Sequence, residues 1–270
     1  MPAYPPNLLA NSDAWLRACD LDKLGLVLDF DGTVAELVPV PSEAVLHPDV
    51  AAPLRSLLSK LGLTAIMSGR PARDIETLVD MKGMLYVGNH GVEYLSNGQL
   101  TQVPQATELP MSPEALAEQL KPIGDGPGVV WEVKQFSLAI HFRMSPDKPK
   151  AFLALLRAVD TVPEIRAMEM ISGNMVMEIR AKNSANKGFA IEKIVNEHKL
   201  DSLFFLGDDT TDIDGLKALQ KLTSSGLVNG VAVAVIQDGT PQGVPDNADY
   251  SLGGVAEVVE FLKMLDKATT

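Results

Sequence analysis

Apolar residues along this chain follow two rhythms. Towards both ends they come in short unbroken runs bounded by Gly or Asp: LGLVLDF (24–30), LTAIMSG (63–69), MLYVGN (84–89), SLFFLGDD (202–209) and VAVAVI (231–236). Unbroken hydrophobicity over so few residues suits strands covered on both faces, as at the centre of a parallel sheet. Helical patterns separate the runs, at roughly 48–61, 71–80, 186–198, 211–221 and 254–266. In the last of these, Val255, Val258, Val259, Leu262 and Leu265 recur at the spacing of one helix face. Strands alternating with helices predict an α/β fold built on a Rossmann-like open parallel sheet. Ligands of such sheets bind beyond the carboxyl ends of the strands.

Between about 108 and 180 the rhythm changes. A helical segment near 112–121 precedes GVVWEVKQFSLAIHFR, and a helix near 147–160 precedes EIRAMEMISGNMVMEIR. Leu138, Ile140 and Phe142 alternate with Ser137, Ala139, His141 and Arg143. Met175, Met177 and Ile179 likewise oppose Asn174, Val176, Glu178 and Arg180. Alternation marks strands with one face on helices and one polar face. The expected organisation is a core of residues 1–107 and 181–270, with an α+β cap of residues 108–180 inserted into it. The polar face is expected to cover the core's site, on linkers near 105–112 and 180–186 that let it open and close. The methionines at 168, 170, 175 and 177 read as core filling.

Composition narrows the class. With 46% hydrophobic and 21% charged residues in 270, this is ordinary globular material with enough chain for a large core. No apolar run approaches the roughly 18 residues of a membrane span, so no membrane association is expected. The opening MPAYPPNLLANSDAW has no Lys or Arg before Arg17 and no apolar stretch of the signal-peptide kind. Cys19 is the single cysteine, which excludes an internal disulfide framework and points to a reducing cytoplasm. A net charge of −12 argues against a nucleic-acid partner. An anionic substrate would need local cations at its site. Nothing in the pattern speaks to oligomeric state, and a monomer is the default.

The chemistry gathers where the predicted strands end. Asp29 and Asp31 follow the first run, Ser68 and Gly69 the second, and Asp208, Asp209 and Asp212 the fourth; Lys187 opens a helix. Two carboxylates two residues apart at the end of a buried strand resist joint ionisation unless something positive lies between them. Such a set suits phosphoryl transfer assisted by a metal. Asp29 is the candidate nucleophile and Asp31 the candidate acid and base. Asp29, Asp208 and the backbone carbonyl of Asp31 are the candidate ligands of Mg²⁺. Ser68, the backbone at Gly69 and Lys187 would hold the phosphate, with Asp209 and Asp212 in support. His90, between glycines in GNHG, reads as a structural donor in a tight loop.

DFDGT, MSGR, a downstream Lys and GDDTTD resemble, in order, the four motifs of the haloacid dehalogenase (HAD) superfamily. In that superfamily the second Asp marks phosphatases and phosphomutases, so Asp31 argues against a dehalogenase. SGRP, GNHGVEY, WEVKQFSLAIHFR, NMVMEIR…NKG and GDDTTD together resemble the trehalose-6-phosphate phosphatase family. That resemblance implies a HAD fold with a cap of the C2B type. It also implies a Mg²⁺-dependent hydrolysis of trehalose 6-phosphate through an aspartyl-phosphate intermediate. The family's sugar contacts fall on Glu132, Lys134, Arg143 and Glu178. Two positions depart from its pattern: Asn174 stands where Lys is usual, and Ile213 where Glu is usual. The alternatives are a phosphatase of another phosphorylated glycoside, such as glucosyl- or mannosyl-3-phosphoglycerate, a phosphomutase, and a non-catalytic sugar-phosphate sensor.

Overall fold

The computed structural model describes residues 4–11, 20–103, 109–182 and 185–269. Arg17, Cys19 and parts of the expected linkers, at 105–108 and 183–184, lie outside these. The chain divides into two compact units, Met1–Gln102 with Ala185–Thr270, and Val103–Ser184. In chain order the first unit begins with β1 (Leu24–Leu28), α1 (Pro48–Leu57), β2 (Leu63–Met67), α2 (Ala72–Val79), β3 (Leu85–Gly88), β4 (Glu93–Ser96) and β5 (Gln99–Gln102). The second unit follows with α3 (Pro113–Gly124), β6 (Val130–Val133), β7 (Ser137–His141), α4 (Lys148–Asp160), β8 (Met168–Gly173) and β9 (Val176–Ala181). The first then resumes with α5 (Lys187–His198), β10 (Ser202–Gly207), α6 (Asp212–Ser224), β11 (Asn229–Ile236), β12 (Tyr250–Gly253) and α7 (Gly254–Ala268).

The first unit is an eight-stranded sheet in the order β12-β11-β10-β1-β2-β3-β4-β5, parallel from β12 to β3. The strands read from unbroken apolar runs form its centre, and β1, β2 and β10 are buried at every residue. Consecutive side chains of β10 show the two-sided covering. Phe204 meets Phe261 of α7, ring centroids 5.3 Å apart. Phe205 points the other way, towards α6, whose Gly215 would bring a Cβ within 2.5 Å of the ring. Helices α1 and α7 supply Val50, Leu54, Leu57, Val258 and Leu262 to the core containing Leu24, Leu26 and Leu28.

Three strands escape the pattern of apolar runs. β4 and β5 form an antiparallel hairpin beyond β3, joined through Asn97 and Gly98 at φ +50° and +76°. β5 is polar and largely exposed at the sheet's edge, so no apolar run marks it. The Asn-Gly pair, which adopts two left-handed residues readily, was the available signal. β12 has four residues and is too short to stand out.

In the second unit, β6-β7-β9-β8 form an antiparallel sheet. One face packs Leu138, Ile140, Phe142, Met177 and Ile179 against Leu116 and Leu120 of α3 and Leu155 of α4. Met168 and Met177 are core, as expected, but Met170 and Met175 are 40% and 37% exposed. Met175 has φ +57° in the turn joining β8 to β9, which removes it from the strand's alternation. Met170 lies on β8, the edge strand. Among the described residues no helix is long and apolar enough to cross a membrane.

Phe204→Ala should therefore lower the unfolding free energy by about 3–5 kcal/mol, because a fully packed ring is lost. Met170→Ala should stay within about 0.5 kcal/mol. Chemical denaturation of the two variants checks both values.

Candidate active site

The strands stop short of the carboxylates that the apolar runs carried. β1 ends at Leu28, and Asp29 opens a tight loop in which Phe30 O accepts from the N–H groups of Thr33, Val34 and Ala35. Gly32 has φ +88°, and a Cβ there would lie 2.2 Å from Asp208 Oδ2. Glycine is thus required for two strand-end loops to approach so closely. Asp208 follows β10 directly, and Asp212 is the first residue of α6. Lys187 is the first residue of α5, a helix capped by Asn186, whose side chain accepts from the N–H of Phe189 at 2.9 Å.

These elements bring Asp29, Asp208 and Asp212 together, with one oxygen of each within 4.8 Å of the others, all three buried. Lys187 Nζ lies 2.5 Å from Asp29 Oδ1 and 2.5 Å from Asp212 Oδ1. The second oxygen of Asp212 accepts from the N–H groups of Asp208 and Asp209, at 3.2 and 3.0 Å. Burial would favour the neutral amine at Lys187, but Asp212 and Asp29 outweigh it and raise its pKa. Burial, then the charge of Asp212, pushes the Asp29 carboxyl well above its ordinary range, with Lys187 opposing. Asp208 is raised in the same way by burial and by Asp29. Asp209 is raised by burial, and His90 is among the groups that oppose the rise.

The donor set fits a hard divalent cation. Asp208 Oδ2 accepts from Gln237 Nε2 at 2.7 Å, while buried Oδ1 of Asp208 has no hydrogen-bond partner among the described residues. A buried carboxylate oxygen left without a donor is costly, and a cation would supply its partner. A cation would also relieve the crowding that raises Asp29 and Asp208.

Ser68 follows β2 and is buried, its Oγ accepting from the N–H of Arg70 at 3.3 Å. Arg70, which no hydrophobic pattern marks, grips Asp31: Nε donates to Oδ2 and Nη2 to Oδ1, both at 2.7 Å. Asp31 therefore stands apart from the three clustered carboxylates. Gln237 carries no charge to mark it in the sequence, but it follows β11 directly and so occupies a strand end like the others.

In the second unit, Glu132 and Glu178 lie on the polar face on either side of Ala139, which pairs with both in register. Lys134 Nζ lies 3.5 Å from Glu178 Oε1, and Ser137 Oγ donates to the same oxygen at 2.5 Å. His141 Nε2 and Glu132 Oε2 are 2.8 Å apart. Burial pushes Glu132 up, but the hydrogen bond from His141 and the charge of Lys134 bring its pKa below the ordinary value. Arg143 lies past the other end of β7, donating to the backbone oxygen of Asn174 at 3.1 Å. The structure thus gathers Glu132, Lys134 and Glu178 on one face, with Arg143 beyond the end of β7.

An open parallel sheet with acidic loops after its two central strands, a buried lysine at a helix start and an inserted α+β unit is the haloacid dehalogenase fold. The "Structure of C. albicans Trehalose-6-phosphate phosphatase C-terminal domain" superimposes with a TM-score of 0.84, at 22% identity and 99% coverage of both chains. The trehalose-phosphatase family model matches residues 27–254, and the chain belongs to that family. It is 30% identical over 258 residues to "Probable trehalose-phosphate phosphatase 4" of Oryza sativa subsp. japonica, covering 90% of this chain and 66% of that protein. It is 32% identical over 245 residues to "Trehalose-phosphate phosphatase" of Mycobacterium tuberculosis, covering 88% and 60%. The chain thus spans less than two thirds of the length of these two curated relatives.

Lys187→Met should cost about 3–5 kcal/mol in urea unfolding, because it strands two buried carboxylates without their cation. Glu132, held below its ordinary value, contributes stability that is present above its unfolded pKa and lost as pH falls through the lower folded one. In His141→Ala, carboxyl NMR titration should find the Glu132 pKa moved upwards.

Proposed function

We propose that this chain is a Mg²⁺-dependent phosphatase that hydrolyses trehalose 6-phosphate to trehalose and inorganic phosphate. The observation that carries the reading is the buried group of Asp29, Lys187, Asp208 and Asp212, in a chain of the trehalose-phosphatase family. Bound through Asp29, Asp208 and the Asp31 carbonyl, Mg²⁺ would neutralise charge on the phosphoryl oxygens. Lys187 keeps Asp29 oriented and adds fixed positive charge. Ser68 and the Gly69 backbone hold phosphate oxygens.

A carboxylate oxygen of Asp29 attacks phosphorus, and the bond from phosphorus to the sugar oxygen breaks. Asp31 gives that oxygen its proton, so the sugar leaves as an alcohol. Asp31 then takes a proton from water, and the resulting hydroxide attacks the aspartyl-phosphate. Phosphate departs and Asp29 is restored as a carboxylate. Both oxygens of Asp31 are gripped by Arg70 here, so the acid role requires Arg70 to loosen its hold once a phosphoryl group offers it another anion. On this reading Glu132, Lys134, Arg143 and Glu178 contact the sugar. A chain with one cysteine in 270 residues suits a reducing cytoplasm.

Phosphate release from a panel of trehalose 6-phosphate, glucose 6-phosphate and glucosyl-3-phosphoglycerate tests the proposal. Trehalose 6-phosphate should be preferred, with activity abolished by EDTA, restored by Mg²⁺ and lost in Asp29→Asn. Preference for another sugar phosphate would overturn the substrate while keeping the core chemistry, and would direct attention to Asn174. No release from any of them would overturn the enzyme reading.

A further inference from the structure

The short turn between β3 and β4 is built in a costly way. Asn89, His90 and Gly91 have φ of +48°, +56° and +108°, three left-handed residues in succession. Glycine adopts that geometry freely and asparagine tolerates it, so the strain, on the order of 1–3 kcal/mol, falls chiefly on His90. Both Asn89 and His90 are buried.

The turn grips the loop that carries Ser68, Gly69 and Arg70. The N–H of His90 donates to Ser68 O at 3.0 Å, and the N–H of Asn89 donates to Arg70 O at 2.8 Å. Along an extended strand successive N–H groups face opposite sides. The left-handed pair instead turns both towards one loop, pinning its first and last residues. The His90 ring braces the middle. A Cβ built on Gly69 would lie 2.5 Å from His90 Cε1 and 2.6 Å from Nε2, so the imidazole fills the space a side chain at 69 would occupy.

We propose that His90 is a positioning residue of the active site, holding Ser68, Gly69 and Arg70 where they meet the phosphoryl group and Asp31. The inference rests on the reading that this loop takes the phosphoryl group. Glycine at 90 would relieve the backbone but leave empty the space the imidazole fills. Removing the ring should loosen the loop without unfolding the protein.

Three variants test this: His90→Gly, Gly69→Ala and the two combined. For His90→Gly, kcat/KM should fall about 10- to 100-fold, the usual effect of losing a support one shell from the chemistry. Its Tm should change little, since relief of the strain at φ +56° offsets the packing lost with a buried ring. Gly69→Ala should also lose activity, but the combined variant should be no worse than His90→Gly alone, because the added methyl then has room. Parental kinetics in His90→Gly, a Tm loss that tracks its activity loss, or multiplicative losses in the combined variant would each overturn the proposal. Amide hydrogen exchange at residues 68–70 needs no substrate. Faster exchange in His90→Gly supports the positioning role even if the parent proves inactive on every sugar phosphate, and unchanged exchange overturns it.

Discussion

One buried ammonium group makes the rest of the active site possible. Lys187 stands between Asp29 and Asp212 at 2.5 Å from each, in a region that also buries Asp208. Taking such charges out of water costs several kcal/mol apiece, and only close, well-directed pairing offsets it. The fold secures the pairing through its helices. Asn186 caps α5 and also donates to Asp214 Oδ2 of α6 at 3.0 Å, while Gly188 permits α6's backbone to approach closely. The helix starts that carry Lys187 and Asp212 are therefore fixed to one another before any ligand arrives. At the strand ends, Gly32 and Gly207 do the corresponding work, since a Cβ at either would strike Asp208 or Asp212.

The second unit meets a similar problem differently. Its two glutamates are spaced across a single alanine on a sheet face, and each finds its own partners there. Hydroxyl, imidazole and ammonium groups share the burden, and Glu132 stays ionised more readily than usual despite partial burial. Such a face carries both donors and acceptors side by side.

Much of this was legible beforehand, and for identifiable reasons. Central strands must be apolar on both faces, so their ends could be found, and with them Asp29, Ser68 and Asp208. The motifs then brought in Lys187, whose partners no periodicity reveals, because a buried cation is defined by contacts between residues distant in sequence. Arg70 and Gln237 show the limit. Each sits beside a residue that was noticed, yet its role depends on side-chain direction, which hydrophobic patterning does not encode. Met175 shows the converse error: a strand pattern continued through a turn that a left-handed residue had already interrupted.

The discontinuity of the first unit has a consequence for synthesis. β1 pairs on one side with β2, a near neighbour in sequence, and on the other with β10, where Leu24 stands opposite Ser202. A chain emerging from the ribosome has every strand of the second sheet before the first residue of β10 exists. The segment made in the middle can therefore become compact while the opening strands still present an unpaired hydrophobic flank. An exposed strand edge of that kind invites pairing with other chains. The flank of β1 stays unpaired from its own synthesis until Gly207 closes β10, and over that whole interval a chaperone would have an edge to protect.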